Sequence, residues 1–251
     1  MKLFHGTSGF SYKEWKGPFY PQDLPASRML EYYASRLPAV EINNTFYRLP
    51  KAEMLAKWRD AVPESFRFVL KVSQRITHKH RLEGAEDAVR YLLESSTALG
   101  SRRGPFLVQL PPYFRKDVGR LERFLAGWPA DASAAFEFRH ASWFDDEVYA
   151  VLRAAGAALC VADTAKGGSD KDETDEDDQD GGESDPAIVA TSSWGYLRLR
   201  REDYDAAALE AWARRVHAQE WGEAYVFFKH EDEGAGPRLA ARFAEAFERV
   251  A

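Results

Sequence analysis

Short runs rich in β-branched and aromatic residues alternate along the chain with longer runs whose apolar residues recur at helical spacing. That alternation is the strongest constraint on what the chain can build, because it is the pattern of βα units laid around a parallel sheet. Eight strands are predicted, over residues 2–8, 39–43, 66–73, 105–110, 134–139, 157–163, 195–200 and 224–229. Helical spacing follows in Met29, Leu30, Tyr33 and Leu37; in Met54, Leu55, Trp58 and Val62; and in Val89, Leu92, Leu93 and Leu99. It continues in Val118, Leu121, Leu125 and Trp128; in Val148, Val151, Leu152 and Ala155; in Leu209, Trp212, Ala213 and Val216; and in Leu239, Phe243, Ala246, Phe247 and Val250. Gly100, Gly156 and Gly222 stand near the expected ends of three of these helices. Eight strands joined by right-handed helical crossovers close most simply into a single (β/α)8 barrel, expected to span residues 1–251.

One gap interrupts the alternation. Between the sixth and seventh predicted strands, "KGGSDKDETDEDDQDGGESDP" (residues 166–186) carries ten acidic side chains against two lysines, and the rest of the chain is therefore slightly basic despite a net charge of −6. Such a segment is expected to be a disordered surface loop, because it buries too little apolar surface to offset the entropy of ordering. A calcium loop would draw on the same oxygen ligands, but the EF-hand spacing of glycine and glutamate is missing. Cys160, the single cysteine, lies in an apolar run and is read as a core thiol, which excludes an intrachain disulfide and a cysteine-based zinc site. The opening MKLFHGTSGF has no basic region followed by an apolar signal core, and no window approaches ~18 unbroken apolar residues. A cytoplasmic protein with no membrane partner is expected, and the overall acidity argues against a surface built throughout for nucleic acid.

Strand phase supplies the functional signal. In a barrel, residues alternate between the helix side and the axis, so a polar residue opposite in phase to large apolar ones points inward. Val40 and Ile42 send Glu41 and Asn43 inward, and Phe66, Phe68, Leu70 and Val72 send Lys71 and Ser73 inward. By the same rule Gln109 opposes Phe106, Val108 and Leu110, and Glu137 with Arg139 opposes Phe136 and Phe138. Arg198 and Arg200 oppose Leu197 and Leu199, Lys229 opposes Val226 and Phe228, and Asp163 closes the sixth strand. These groups fall in the later halves of their strands, at the C-terminal mouth where barrel active sites are built. A charged network that only satisfied itself there would be no more stable than an apolar core, so the pattern is read as a site.

The loops at that mouth add candidates. "GTSGFSYKEW" brings Tyr12 and Trp15 and lacks the spacing of a phosphate-binding glycine loop; "NNTFYRLP" brings Asn44, Thr45 and Tyr47; "SQRITHKHR" brings Ser73, Arg75, Thr77 and His78. "HASWFDDEV" places Ser142 and Asp145 as helix caps and Trp143 over or under the mouth, and a prolyl bond of "LPP" at 110–112 is a candidate for the cis form. Tyr12, Trp15, Phe46, Tyr47 and Trp143 fall in βα loops and are candidates to line a pocket for rings. His140 and His230 are read first as hydrogen-bonded rim residues. The cations Lys71, Arg75, Arg139, Arg198, Arg200 and Lys229 outnumber Glu41, Glu137 and Asp163, which points to an anionic ligand.

The segments "GTSGFSYKEWKGPFYP", "VEINNTFYRLP", "VLKVSQRITHKHRL", "GPFLVQLPP", "AFEFRHASWF" and "LCVADT" resemble, in order and spacing, the DUF72 or YecE-like family. The resemblance runs from about Gly6 to Thr164 and weakens beyond, where "LRLRRED" stands in place of a Leu-His-Gly motif and "FFKHED" in place of an asparagine-rich strand end. It implies a TIM-like barrel and carries a distant similarity to metal-dependent barrels that act on abasic DNA.

Three functions follow as expectations. In the first, an enzyme binds a phosphorylated or otherwise anionic small molecule, with Glu137, Glu41, Asp163 and Lys71 as the catalytic set. Arg139, Arg198, Lys229, Asn43, Gln109, Ser73, Arg75, Tyr12, Trp15, Tyr47, Trp143 and His140 would then hold the substrate. In the second, a hydrolase of nucleic acid or nucleotides holds a divalent metal through Glu41, His78, Glu137, His140, Asp163 or His230; it is disfavoured, and no metal ligand is assigned. The third is a binding protein for an anionic ligand that performs no chemistry.

Overall fold

A computed structural model describes residues 1–163, 186–201, 203–230 and 232–251. The acidic segment lies outside the described residues, except for Pro186 at its end. The strands are β1 (Lys2–Ser8), β2 (Ala39–Ile42), β3 (Arg67–Lys71), β4 (Arg103–Gln109), β5 (Ala134–Glu137), β6 (Ala158–Asp163), β7 (Trp194–Leu199) and β8 (Glu223–Phe228). They form a closed barrel in chain order, every neighbouring pair parallel, with β8 returning to β1 through the pairing of Lys2 to Thr7 with Glu223 to Phe228. Around it lie α1 (Met29–Ala34), α2 (Asn44–Tyr47), α3 (Ala52–Asp60), α4 (Glu86–Ser96), α5 (Val118–Ala126), α6 (Asp146–Ala154), α7 (Ala206–His217) and α8 (Ala235–Arg249). No helix among the described residues is long and apolar enough to cross a membrane.

Two apolar cores follow from the alternation of each strand. Val40, Phe68, Leu70, Val108, Phe136, Leu197 and Val226 pack outward beneath the helices, while Phe4, Ala39, Val69, Leu107, Ala135, Cys160, Trp194, Tyr225 and Phe227 fill the barrel axis. Burying one Leu or Phe side chain in this way stabilises by about 1.5–3 kcal/mol.

Local contacts lock the seams. Gly6 must be glycine, since a Cβ would overlap the Ala39 carbonyl oxygen across the β1–β2 pair. At that seam Tyr33 of α1 donates to the Ala39 carbonyl at 2.9 Å and accepts from the Thr7 amide at 2.9 Å. Gly156 takes φ +63° after α6, and the bonds Gly156 N to Arg153 O and Ala157 N to Leu152 O close the helix end as a Schellman turn. Asp145 caps α6 by accepting from the Glu147 amide at 3.0 Å. Ser142 lies in a 3-10 turn instead, where its hydroxyl accepts from the Lys116 amide at 2.8 Å. Every peptide bond among the described residues is trans, so neither prolyl bond of "LPP" takes the candidate cis form.

Candidate functional site at the barrel mouth

Two residues beyond the apolar axis, the same strands turn polar. Ala39 is followed by Glu41, Val69 by Lys71, Leu107 by Gln109, Ala135 by Glu137 and Tyr196 by Arg198, all buried. Arg198 sits between the two glutamates, with Nη2 donating to Glu41 Oε1 at 2.9 Å and Nη1 to Glu137 Oε2 at 2.6 Å. Glu41 also accepts from Ser8 Oγ at 2.7 Å and from the Tyr196 hydroxyl at 2.6 Å. Glu137 Oε1 accepts from Gln109 Nε2 at 2.8 Å and from Arg200 Nη2, and it pairs with Arg139 Nε at 3.5 Å.

Charge and burial compete at Glu137. Burial alone would raise its carboxyl, but Arg198, Arg200 and Arg139, helped by the Gln109 hydrogen bond, hold it well below the usual carboxylate range. It is therefore ionised at neutral pH, an acceptor only and a weak base. Burial likewise disfavours the charged form of Arg198, and the facing Glu137 and Glu41 more than offset it and push its pKa up. Burial and the Glu41 charge hold the Tyr196 hydroxyl protonated. Two acceptors in this region lack a hydrogen-bond partner among the described residues: Gln109 Oε1 and Asn43 Oδ1. Leaving a buried acceptor unsatisfied costs about 1–3 kcal/mol.

Beside this network Lys71 Nζ lies 4.1 Å from the centre of the Phe46 ring, and Ser73 Oγ donates to the Phe46 carbonyl at 3.2 Å. Asp163 belongs to a different cluster. It shares the outward phase of Leu159 and Val161, and it accepts from Tyr204 OH at 2.8 Å and Arg201 Nε at 2.8 Å rather than facing Glu41 and Glu137. His230 Nε2 bonds the Arg201 carbonyl, and burial lowers its pKa.

The sequence model of the family described as "Protein of unknown function DUF72" matches residues 4–251. The chain belongs to the DUF72 family. It is 34% identical over 116 residues to UPF0759 protein YecE of Escherichia coli strain K12, covering 46% of this chain and 43% of that protein. It is 28% identical over 138 residues to UPF0759 protein YunF of Bacillus subtilis strain 168, covering 52% and 49%. These matches thus span about half the length of either relative. Among solved structures, a DUF72 protein of Thermotoga maritima MSB8 superposes with TM-score 0.80 at 24% identity over 99% of this chain and 100% of that one. Another, from Enterococcus faecalis V583, gives 0.76 at 21% identity over 98% and 95%. At these identities the likeness establishes the fold.

In this DUF72 barrel the mouth brings together Glu41, Lys71, Gln109, Glu137, Arg139 and Arg198 from the predicted set, with Asn43, Ser73 and Lys229 just past their strand ends. Trp15 and Trp143 lie beneath the rim instead of lining it. Trp15 is fully buried against Tyr12, Phe19 and Tyr20, and Trp143 stacks on Phe138 at 4.7 Å while donating to the Phe114 carbonyl at 2.6 Å. Tyr12 is half-buried with its hydroxyl on the Ser8 carbonyl, and Tyr47 and Arg75 are exposed. His140 Nδ1 bonds Ser142 Oγ and His78 Nδ1 bonds Thr77 Oγ1, both at 2.8 Å. No group of three potential ligands that could hold a metal occurs among the described residues.

Phase reasoning did not assign roles to Ser8, Tyr196, Arg201 or Tyr204. Tyr196 stands two residues before Arg198, so its inward phase was available; its hydroxyl partner, 155 residues away, was not.

Proposed function

We propose that the barrel mouth binds a small anionic molecule, with Arg139, Arg200, Lys71 and Lys229 supplying the attraction and Glu41 and Glu137 holding the guanidiniums in place. The observation that carries this reading is the convergence of Arg139, Arg198 and Arg200 on the single carboxylate of Glu137. Planar guanidinium forks suit phosphate or carboxylate oxygens, and three of them are gathered here in a buried setting. If the site is catalytic, it acts by stabilising negative charge that develops on the ligand, because Glu137 is too weak a base for the acid/base role its position suggests.

Calorimetric titration with inorganic phosphate and small phosphorylated compounds tests the proposal. Binding should weaken at least about ten-fold in Arg139→Gln and Arg200→Gln variants, the loss expected for a charge-assisted hydrogen bond. Wild-type affinity retained in both variants would remove the basis for the reading. A metal-dependent hydrolase finds less support, since Glu41 and Glu137 share Arg198, and Asp163 and His230 are engaged elsewhere.

A further inference from the structure

The loops around the mouth divide by charge, and the network at its centre does not use that division. Those that follow β2, β3 and β4, residues 43–51, 72–85 and 110–117, hold Arg48, Lys51, Arg75, Lys79, Arg81 and Arg115. All six are exposed, and none makes an ion pair among the described residues. The acidic side chains of these loops, Glu83 and Asp117, are held by Arg120, with Arg123 also on Glu83. Across the ring the balance reverses. The loops after β7 and β8 carry Asp203, Asp205, Asp232 and Glu233 exposed, whereas their cations Arg200, Arg201 and Lys229 lie deeper.

In a closed ring of eight strands in chain order, β3 stands opposite β7 and β4 opposite β8. Each mouth face therefore presents the complement of its own charge half a turn away. A two-fold axis lying across the mouth, at right angles to the line from β3 to β7, sets the β3 loop of one copy on the β7 loop of another and the β2 loop on the β8 loop. Both contacts of such a pair form at once, as an isologous interface requires. A polyanion would be attracted to the basic arc and repelled by the acidic one, while a second copy satisfies both. The face also has apolar area to cover. Tyr47, Tyr113 and Phe144 are exposed on the loops after β2, β4 and β5, and among the described residues Tyr91 on α4 is the one exposed aromatic elsewhere. Tyrosine, phenylalanine and arginine are the residue types enriched where proteins meet.

We propose that a second copy of this chain docks on the mouth face, the two barrels stacked head to head with the β2 and β3 loops of each on the β8 and β7 loops of the other. This stands apart from the anion-binding reading, since it uses none of the groups bonded to Glu137.

Sedimentation velocity on the full-length protein tests it. Wild type should form dimers that tighten at least about ten-fold between about 1 M and about 0.1 M sodium chloride, as the screening length grows from about 3 Å to about 10 Å. One variant reverses the basic arc, Arg48→Glu with Arg75→Glu, and a second reverses the acidic arc, Asp203→Lys with Asp232→Lys. Either alone should lose at least about ten-fold in self-association, because like charges then face each other. Mixed in equal amounts, the two should pair as tightly as wild type, since every contact of the mixed dimer again joins opposite charges. All four side chains are exposed, and the salt series on wild type does not depend on replacing them. A wild type that stays monomeric at both salt concentrations overturns the proposal. So do dimers that persist in both variants, or variants that fail to pair when mixed. A monomer that binds an oligothymidylate strand, and loses it in Arg48→Glu with Arg75→Glu, would assign the basic arc to nucleic acid and overturn the proposal as well.

Discussion

Within one barrel, the axis is built in two opposite ways. At the level of Ala39, Val69, Leu107 and Ala135 the strands meet in an apolar plug, whereas two residues farther along these strands Glu41, Gln109 and Glu137 meet, with Arg198 of β7, in a hydrogen-bonded charge network. Backbone, phase and burial are the same, and only the side chains differ. The plug stabilises by removing apolar surface from water. The network gains little beyond neutralising charges that burial would otherwise penalise. A fold that needed only stability would continue the plug upward, so the network marks the level at which the proposed binding site would begin.

The sharpest way to break this comparison is to remove Arg198. Arg198→Met leaves Glu41 and Glu137 buried without their common counter-charge, and urea unfolding should show a loss of about 3–5 kcal/mol. The triple variant Glu41→Gln, Glu137→Gln, Arg198→Met should recover at least half of that loss while abolishing anion binding. If the triple variant is as unstable as the single one, the network is a stabilising core and the contrast with the plug collapses.

Leu107→Ala makes the reciprocal test. It should cost about 2–4 kcal/mol in the same measurement, as cavity-forming core substitutions do, and leave affinity for phosphate within about two-fold of wild type. Lost affinity would show that plug and mouth are not separable.

A smaller effect should appear on acidification. His5 on β1 has its pKa lowered by burial to about 4, below the unfolded value near 6.5. The unfolded chain therefore binds its proton first, and the stability from neutral His5 is complete above pH ~6.5 and is lost as pH falls toward about 4. Glu137, held low in the folded state, contributes stability that is complete above the ordinary carboxylate value of about 4.3 and is lost only as pH falls below it. Unfolding midpoints measured from pH 7 to 3 should show both phases, with His5→Gln removing the upper one. A single phase confined below pH 4 in wild type would contradict the His5 assignment.

How far the sequence revealed this arrangement depended on whether a property was local. The barrel was legible because alternation and helical spacing are set by neighbouring residues, and the inward phase of Glu41, Glu137 and Arg198 followed from the apolar residues flanking each. Asp163 was misplaced among them because its strand was not tested for phase: Leu159 and Val161 share its side and face the helices. Trp15 and Trp143 were candidates to line a pocket from their loop positions, with packing beneath the mouth left open for Trp143, and both rings are buried. Which carboxylate meets which guanidinium was not legible at all, since Glu41 and Arg198 lie 157 residues apart and meet only when the barrel closes.

Arg198 also has a mechanical consequence. Its guanidinium ties β7 to β2 on one side and to β5 on the other, pairs of strands that share no ladder. It works as a spoke across the ring, fixing the width of the opening from within. The loops around the rim can then lengthen, shorten or change sequence without altering the spacing of the groups at the centre.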